Sequence, residues 1–584
     1  MARQARDAVV IVGLRGLREV APAKERARSA MHPPRSAAQA RPPGFAGAAL
    51  AASLGGQELA LAMEQTFTRE APAPPPSGRR RRGLRRAAAL APMDGRQGMT
   101  LDVPVADGEE AVILLEEDGV FSWHLRADDV TSPDVHRDIV RQRSTSGRRP
   151  AKGAPRRRIK RFTVNLGAAP PPKPRAPGLA GRQHGLGSFV AGAIAGKVVA
   201  RVFRFAAGKV MGPIIDHMER DIHPGLVWMG DPDCMKWRLM DRSEQLTIPA
   251  DRPARVLLWV HGTFSSTVGS FGGLSQTPHG KALLNAMLAK YDAVIGFDHP
   301  TMSVTPMQNA SAILARLELQ KWPKPPVFDA ISYSRGGLVF RSLVEYALPA
   351  STFACTVDRA IYVACTNGGT ELARRKNWDR LMDRYTNLAA GACTAIGALT
   401  GSAVATKILG EAIKGVGAFV KALALAALDE GGMPGIEAMD PSGSFVRQIN
   451  DVQAGQPQPS STYYCVVTSN FDPDTAVGQG STPEVPAGFW MRVAEKPVDE
   501  LLNKPNDLVV DVPSMSAFDP GVGDFVKKHH DFGTNGSVYH TVYFLQDQTS
   551  AELANWLQIA MPASAAALRL RRERRPKKPA ARRR

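Results

Sequence analysis

Ser334 sits in the run Ser332-Tyr333-Ser334-Arg335-Gly336-Gly337, with an apolar stretch before it and Leu338-Val339-Phe340-Arg341 after it. That order predicts a strand, a tight turn and a helix, with the serine at the tip of a nucleophile elbow. The usual spacing is G-x-S-x-G, and here Ser332 replaces the first glycine. Small side chains at 332, 336 and 337 still let strand and helix pass closely. A serine placed so can attack an acyl carbon if three other parts are present. It needs a base, an acid that orients the base, and N–H donors for the developing oxyanion.

Each part has a counterpart. His261-Gly262-Thr263-Phe264 follows the first strong apolar strand, 255–260. A glycine-containing loop there can turn a backbone N–H toward the serine, from Thr263 or Phe264, with Arg335 N–H as the second donor. His261 reads as the residue that fixes this loop rather than as a catalytic group. Asp507 begins an apolar run after a long Pro/Gly-rich insertion, with Asp511 as the alternative acid and an ordinary turn as the plainer reading. His540 lies among apolar residues ahead of a helix expected at 550–559. Alone it would be a core histidine; with Ser334 and Asp507 it becomes the candidate base. His261, Gly262, Tyr333 and His299 are expected around the substrate, His299 at the pocket rim.

The elements that must hold these residues follow from the apolar pattern. Continuous apolar runs at 255–260, 293–297, 327–332, 360–364 and 462–467 alternate with helical stretches. That rhythm predicts an α/β fold built on a buried, mostly parallel, doubly wound sheet. The domain occupies 225–560, with 385–430 as a helical cap. Residues 385–406 lack charge over 22 positions, but Gly391, Gly397 and Gly401 favour a cap over a membrane span.

Ahead of it we expect a disordered Ala/Arg/Pro-rich segment over 1–95 and a small β unit over 96–130, with a hairpin turn at Asp118-Gly119. A basic Pro-rich linker follows over 131–185, with a strand at 161–166. An amphipathic helix region is expected over 186–224, with Lys197, Arg201 and Arg204 on one face. A basic disordered tail covers 561–584.

Charge separates these parts. The chain carries +19 overall, yet 225–560 holds 27 Lys+Arg against 33 Asp+Glu, a net of −6. The ends carry +16 over 1–224 and +9 over 561–584. The basic arms suit contact with an anionic membrane or polymer, and an acidic body excludes a shaped nucleic-acid groove. Five scattered cysteines without C-x-x-C spacing favour neither a disulfide framework nor zinc, and suit a reducing, cytoplasmic setting. The N-terminus does not read as a secretory signal.

Residues about 250–560 resemble a bacterial lipase/esterase of the α/β-hydrolase superfamily. The matching pieces are Val260-His261-Gly262-Thr263, Ser332 through Gly337, Asn506-Asp507-Leu508-Val509, His540, and Cys365-Thr366-Asn367-Gly368-Gly369-Thr370. The order serine, acid, histidine is that of the superfamily. The resemblance implies a serine carboxylic-ester hydrolase acting on a small-molecule ester or lipid, with a mobile cap over an apolar acyl pocket. No cofactor or metal is implied: the calcium site common in secreted relatives uses a carboxylate two residues after the histidine, and Val542 stands there. The alternatives are a phospholipase at a membrane surface and a retired scaffold serving as an interaction module.

Overall fold

The computed structural model describes residues 9–20, 59–69, 97–129, 158–166, 196–206, 219, 222–400 (393–400 as backbone only), 415–417, 419–421, 423–424, 433–451, 462–472, 475, 504–518 and 526–561. The chain divides into two units, one of Met1–Ile214 with Gly417–Asp429, the other of Ile215–Val416 with Glu430–Arg584.

The first unit is a β structure wider than the 96–130 expected from sequence. Its strands are β1 (Val10–Arg15), β2 (Leu17–Glu19), β3 (Ala60–Arg69), β4 (Gly98–Val105), β5 (Glu109–Glu117), β6 (Val120–His124), β7 (Asp128–Asp129), β8 (Arg158–Asn165) and β9 (Lys197–Ala206). They form a sheet of order β1-β4-β8-β7 and one of order β2-β3-β9-β5-β6. Leu101 and Phe162 of the first sheet share a core with Phe67, Ile113 and Val202 of the second. The expected hairpin is β5–β6, where Glu117 pairs with Val120 and both Asp118 and Gly119 take positive φ. The strand expected at 161–166 is β8.

Two expectations are corrected here. Segment 1–95 contributes three strands, so it is not wholly disordered. The helix expected within 186–224 is strand β9 over Lys197–Ala206. Val198-Val199 and Val202-Phe203 are β-branched and aromatic, residues that pack on a pleated surface better than on a helix. With a period of two, Arg201 and Arg204 point to opposite faces, so no basic stripe forms there. Arg201 is instead buried between Glu64 (2.7 Å) and Glu116 (2.8 Å). Residues 131–157, 167–195 and 562–584 lie outside the described residues.

The second unit is mixed α/β around an eight-stranded sheet. In chain order its elements are β10 (Gly225–Trp228), β11 (Arg238–Leu239), β12 (Arg255–Val260), α1 (Pro278–Lys290), β13 (Ala293–Asp298), α2 (Pro306–Glu318), β14 (Val327–Tyr333), α3 (Gly336–Arg341), β15 (Thr356–Val363), α4 (Trp378–Thr400), β16 (Tyr463–Phe471), β17 (Val526–Asn535) and α5 (Asp547–Trp556). The sheet order is β11-β10-β13-β12-β14-β15-β16-β17. Strands β12 to β17 pair in parallel, while β10 runs antiparallel to β13 and β11.

Both faces of the sheet are covered, which is why its strands read as unbroken apolar runs. On one face Val256, Leu258 and Val260 of β12 join Ile313 of α2 and Phe340 of α3 in the core. On the other, Trp259 packs edge-on against Phe271 at 4.8 Å and near Phe544 at 6.2 Å. Of the segment expected as a cap at 385–430, the first part lies in helix α4, which begins at Trp378; residues 401–414 lie outside the described residues. Among the described residues no helix is long and apolar enough to cross a membrane.

Candidate active site

Ser334 follows directly on β14 and takes φ +55°, a conformation that costs a non-glycine residue about 1–3 kcal/mol. The surroundings over-determine it. Its N–H donates to Val363 O (3.2 Å) and its carbonyl accepts from Thr366 and Gly337 N–H. The close passage of α3 explains the two glycines. A Cβ on Gly336 would stand 2.3 Å from Val260 O, and one on Gly337 would stand 2.5 Å from Cys365 Cβ. Ser332 can replace glycine because it is small and its hydroxyl donates to Ile361 O (3.2 Å) on β15.

The loop after β16 and the turn after β17 bring the other two groups to the same C-terminal edge of the sheet. His540 opens the 3₁₀ turn His540–Leu545. Its Nε2 lies 2.9 Å from Ser334 Oγ and its Nδ1 2.8 Å from Asp507 Oδ2. Since an ionised carboxylate only accepts, Nδ1 carries the proton and Nε2 turns its lone pair toward the serine. Asp507 is wholly buried and fully engaged. Oδ1 accepts from Val509 and Val510 N–H at 3.1 and 2.9 Å. Oδ2 also accepts from Tyr543 Oη at 3.2 Å. His540 N–H donates to Asp507 O (3.0 Å), and the Tyr333 hydroxyl donates to His540 O. Asp511, the alternative acid, caps a short helix by accepting from Ser514 N–H (2.9 Å) and makes no contact with His540.

The loop after β12 rests on the serine. A Cβ on Gly262 would lie 2.6 Å from Ser334 Cβ, so only glycine fits. The two N–H candidates separate here. Phe264 N–H donates to Thr301 Oγ1 (3.3 Å), which removes Phe264 as the donor although its ring lines the pocket. The N–H groups of Thr263 and Arg335 have no partner among the described residues. The Arg335 side chain turns away, donating to Gly435 O (2.9 Å) and Val304 O. Burial lowers its pKa to about 10, opposed by Glu219. Glu219 in turn accepts from the N–H groups of Thr301, Met302 and Ser303, holding the segment that Phe264 leans on.

His261 and His299 are corrected as substrate contacts: both are fully buried and neither lines the pocket. Gly262 likewise touches Ser334 without lining it. His261 Nδ1 pairs with Gly262 O (2.9 Å), while Nε2 accepts from His299 N–H (3.1 Å) and faces His299 Nδ1 at 2.8 Å. These contacts tie the loop after β12 to the end of β13. Desolvation lowers both pKa values, that of His299 strongly, against the smaller opposing pull of Asp298 on His261. Both rings therefore stay neutral in the fold where the unfolded chain, below pH 6.5, would protonate them. Stability present above that pH is lost as pH falls toward the lowered folded-state value of each ring. Tryptophan-fluorescence melts should show a lower Tm at pH 5.5 than at 7.5, with a smaller drop in His299→Gln. Equal drops in both proteins would contradict this.

In front of Ser334 lies a pocket walled by Phe264, Tyr385, Ala389, Phe544 and Leu545, with Thr263, Tyr333 and His540 at its floor. Helix α4 presents Leu381, Tyr385, Leu388, Ala389 and Ala392, a buried stripe at helical spacing. Ser334 and His540 are each 1% exposed beneath it. Cys365, beside the elbow, is buried with its thiol pushed up to about 12, so it is no rival nucleophile. Cys234 and Cys465 are also buried and Cys355 half-buried; all four are free thiols. The side chain of Cys393 lies outside the described residues. Tyr543, Tyr385, Thr301 and Glu219 were not found from sequence. Tyr543 alone left a signal, standing three residues after His540.

Residues 224–558 match a family described as a domain of unknown function, DUF7379, over more than half the chain. The chain belongs to that family. Residues 19–205 of this DUF7379 chain match a second domain of unknown function, DUF7362. No curated protein matches it. Similar solved structures include the Bacillus licheniformis lipase BlEst2, at 15% identity over 53% of this chain and 96% of that one (TM-score 0.30). Lipase 1 from Pelosinus fermentans is 14% identical over 52% and 99% (TM-score 0.32). EstA from Clostridium botulinum is 12% identical over 61% and 100% (TM-score 0.34).

Proposed function

We propose that this chain is a serine hydrolase of carboxylic esters, built as a doubly wound α/β-hydrolase with a helical cap and working through an acyl-enzyme. The observation that carries the reading is the unbroken relay of Ser334 Oγ, His540 and Asp507 at 2.9 and 2.8 Å. A strained elbow and two N–H groups beside it, unpartnered among the described residues, support the same chemistry. The retired-scaffold alternative has no use for a buried charge so fully arranged around one imidazole.

In the proposed reaction Ser334 Oγ attacks the ester carbon while its proton passes to His540 Nε2. Asp507 holds Nδ1 and stabilises the imidazolium. Thr263 and Arg335 N–H hold the oxyanion, each contributing roughly 3–4 kcal/mol. The tetrahedral species collapses, His540 gives its proton to the leaving alkoxide, and the alcohol departs. Water, activated by His540, then attacks the acyl-serine; the acid leaves and Ser334 regains its proton. The apolar walls suit an uncharged acyl chain. Because Ser334 is 1% exposed, an ester reaches it only when the elements over the pocket move. The phospholipase variant rests on a basic helix, which is strand β9 instead, and on a basic tail of which 562–584 lie outside the described residues, so no observation favours it.

The test is a panel of p-nitrophenyl esters of increasing acyl length. Turnover is expected in the wild type and its loss in Ser334→Ala; equal rates in the two proteins would end the proposal. Gly262→Ala should lower kcat on the best ester by about 10²-fold, since the added methyl displaces the attacking serine. An unchanged kcat would show that the loop does not bear on it.

A further inference from the structure

Among the described residues, Tyr385 is the one polar side chain that α4 presents to the pocket beside Ser334. It is 9% exposed and lines the pocket together with Ser334, Thr263 and His540. Its ring stands perpendicular to Phe264 at 5.0 Å and to His540 at 6.2 Å. These contacts fix the ring between the loop after β12 and the imidazole. The corner shared by Ser334 Oγ and Thr263 is where an oxyanion would form, since Thr263 N–H has no partner there among the described residues.

We propose that the Tyr385 hydroxyl is a third, side-chain donor to the oxyanion, delivered by the helix that covers the site. This rests on the serine-hydrolase reading above. Burial, the largest influence on this phenol, raises its pKa, so it keeps its proton and can donate it in a hydrogen bond. No proton is transferred: the phenol O–H shortens its contact to the oxygen as negative charge develops there, and relaxes when the carbonyl reforms. A donor carried on the cap also couples coverage to chemistry. The third hydrogen bond exists only when α4 lies over a bound ester, where water is excluded and the bond is strongest.

The experiment compares wild type, Tyr385→Phe and Tyr385→His for steady-state hydrolysis of p-nitrophenyl butyrate and for the rate and endpoint of fluorophosphonate labelling. Tyr385→Phe should lose about 10- to 100-fold in kcat with KM within about twofold. Labelling should slow by a similar factor and still reach one adduct per chain, which shows the fold intact. Tyr385→His, which restores a ring N–H, should recover part of the loss. Equal kcat in wild type and Tyr385→Phe, a change confined to KM, or a faster Tyr385→Phe enzyme would overturn the inference while leaving the hydrolase reading in place. An unlabelled wild type would remove the hydrolase reading and this inference together.

Discussion

His540→Ala is expected to reduce kcat for ester hydrolysis by about 10⁶-fold, the scale found when a serine hydrolase loses its base. The geometry explains why so much depends on one ring. Nε2 is the only base within hydrogen-bond reach of Ser334 Oγ among the described residues, at 2.9 Å. Tyr385, also near the serine, is a phenol whose pKa burial raises, so it cannot take the proton at neutral pH. Without the imidazole the serine stays a neutral alcohol, and only the oxyanion donors and binding remain. The fold should tolerate the change, since Tyr333 holds the backbone carbonyl of residue 540 rather than the ring. A loss of less than about 10²-fold, measured in protein with an unchanged Tm, would mean that another group removes the proton.

Asp507→Asn should cost about 10⁴-fold in kcat through a different route, a wrong tautomer. Oδ1 accepts from two backbone N–H groups, at 3.1 and 2.9 Å, so the amide oxygen of asparagine must take that place. Its NH₂ then occupies the position of Oδ2 and points at His540 Nδ1 and Tyr543 Oη. His540 can satisfy that donor only by moving its proton to Nε2, where it faces Ser334 and no longer accepts. The loss should ease at high pH, where hydroxide supplies the base. Tyr543→Phe removes only the neutral partner of Oδ2, and its effect should stay within about tenfold. A mild Asp507→Asn variant would assign the orienting role elsewhere.

How much of this could be read in advance differs by element. The elbow was legible because steric demand concentrates in few residues: Gly336, Gly337 and a small residue at 332 leave little freedom. The parallel strands were legible because burial on both faces gives unbroken apolar runs. Asp507 and His540 emerged from chain order, with no local pattern of their own. Lys197–Ala206 failed because Lys197, Arg201 and Arg204 recur near helical spacing. Pairing with β3 and β5 decided for strand, and that pairing is not written locally. His299 was placed at the rim because it ends a strand at the active edge. Its ring turns inward to His261, which only the folded loop reveals. Tyr385 and Glu219 act across more than fifty residues, so no spacing rule finds them.

Mass mapping of a fluorophosphonate adduct tests the central claim most directly. Wild-type protein should gain one adduct per chain, on the peptide containing Ser334. Labelling should vanish in Ser334→Ala and slow by orders of magnitude in His540→Ala. An adduct on a different residue, or an unmodified wild type under conditions that label a known serine esterase to completion, would contradict the account.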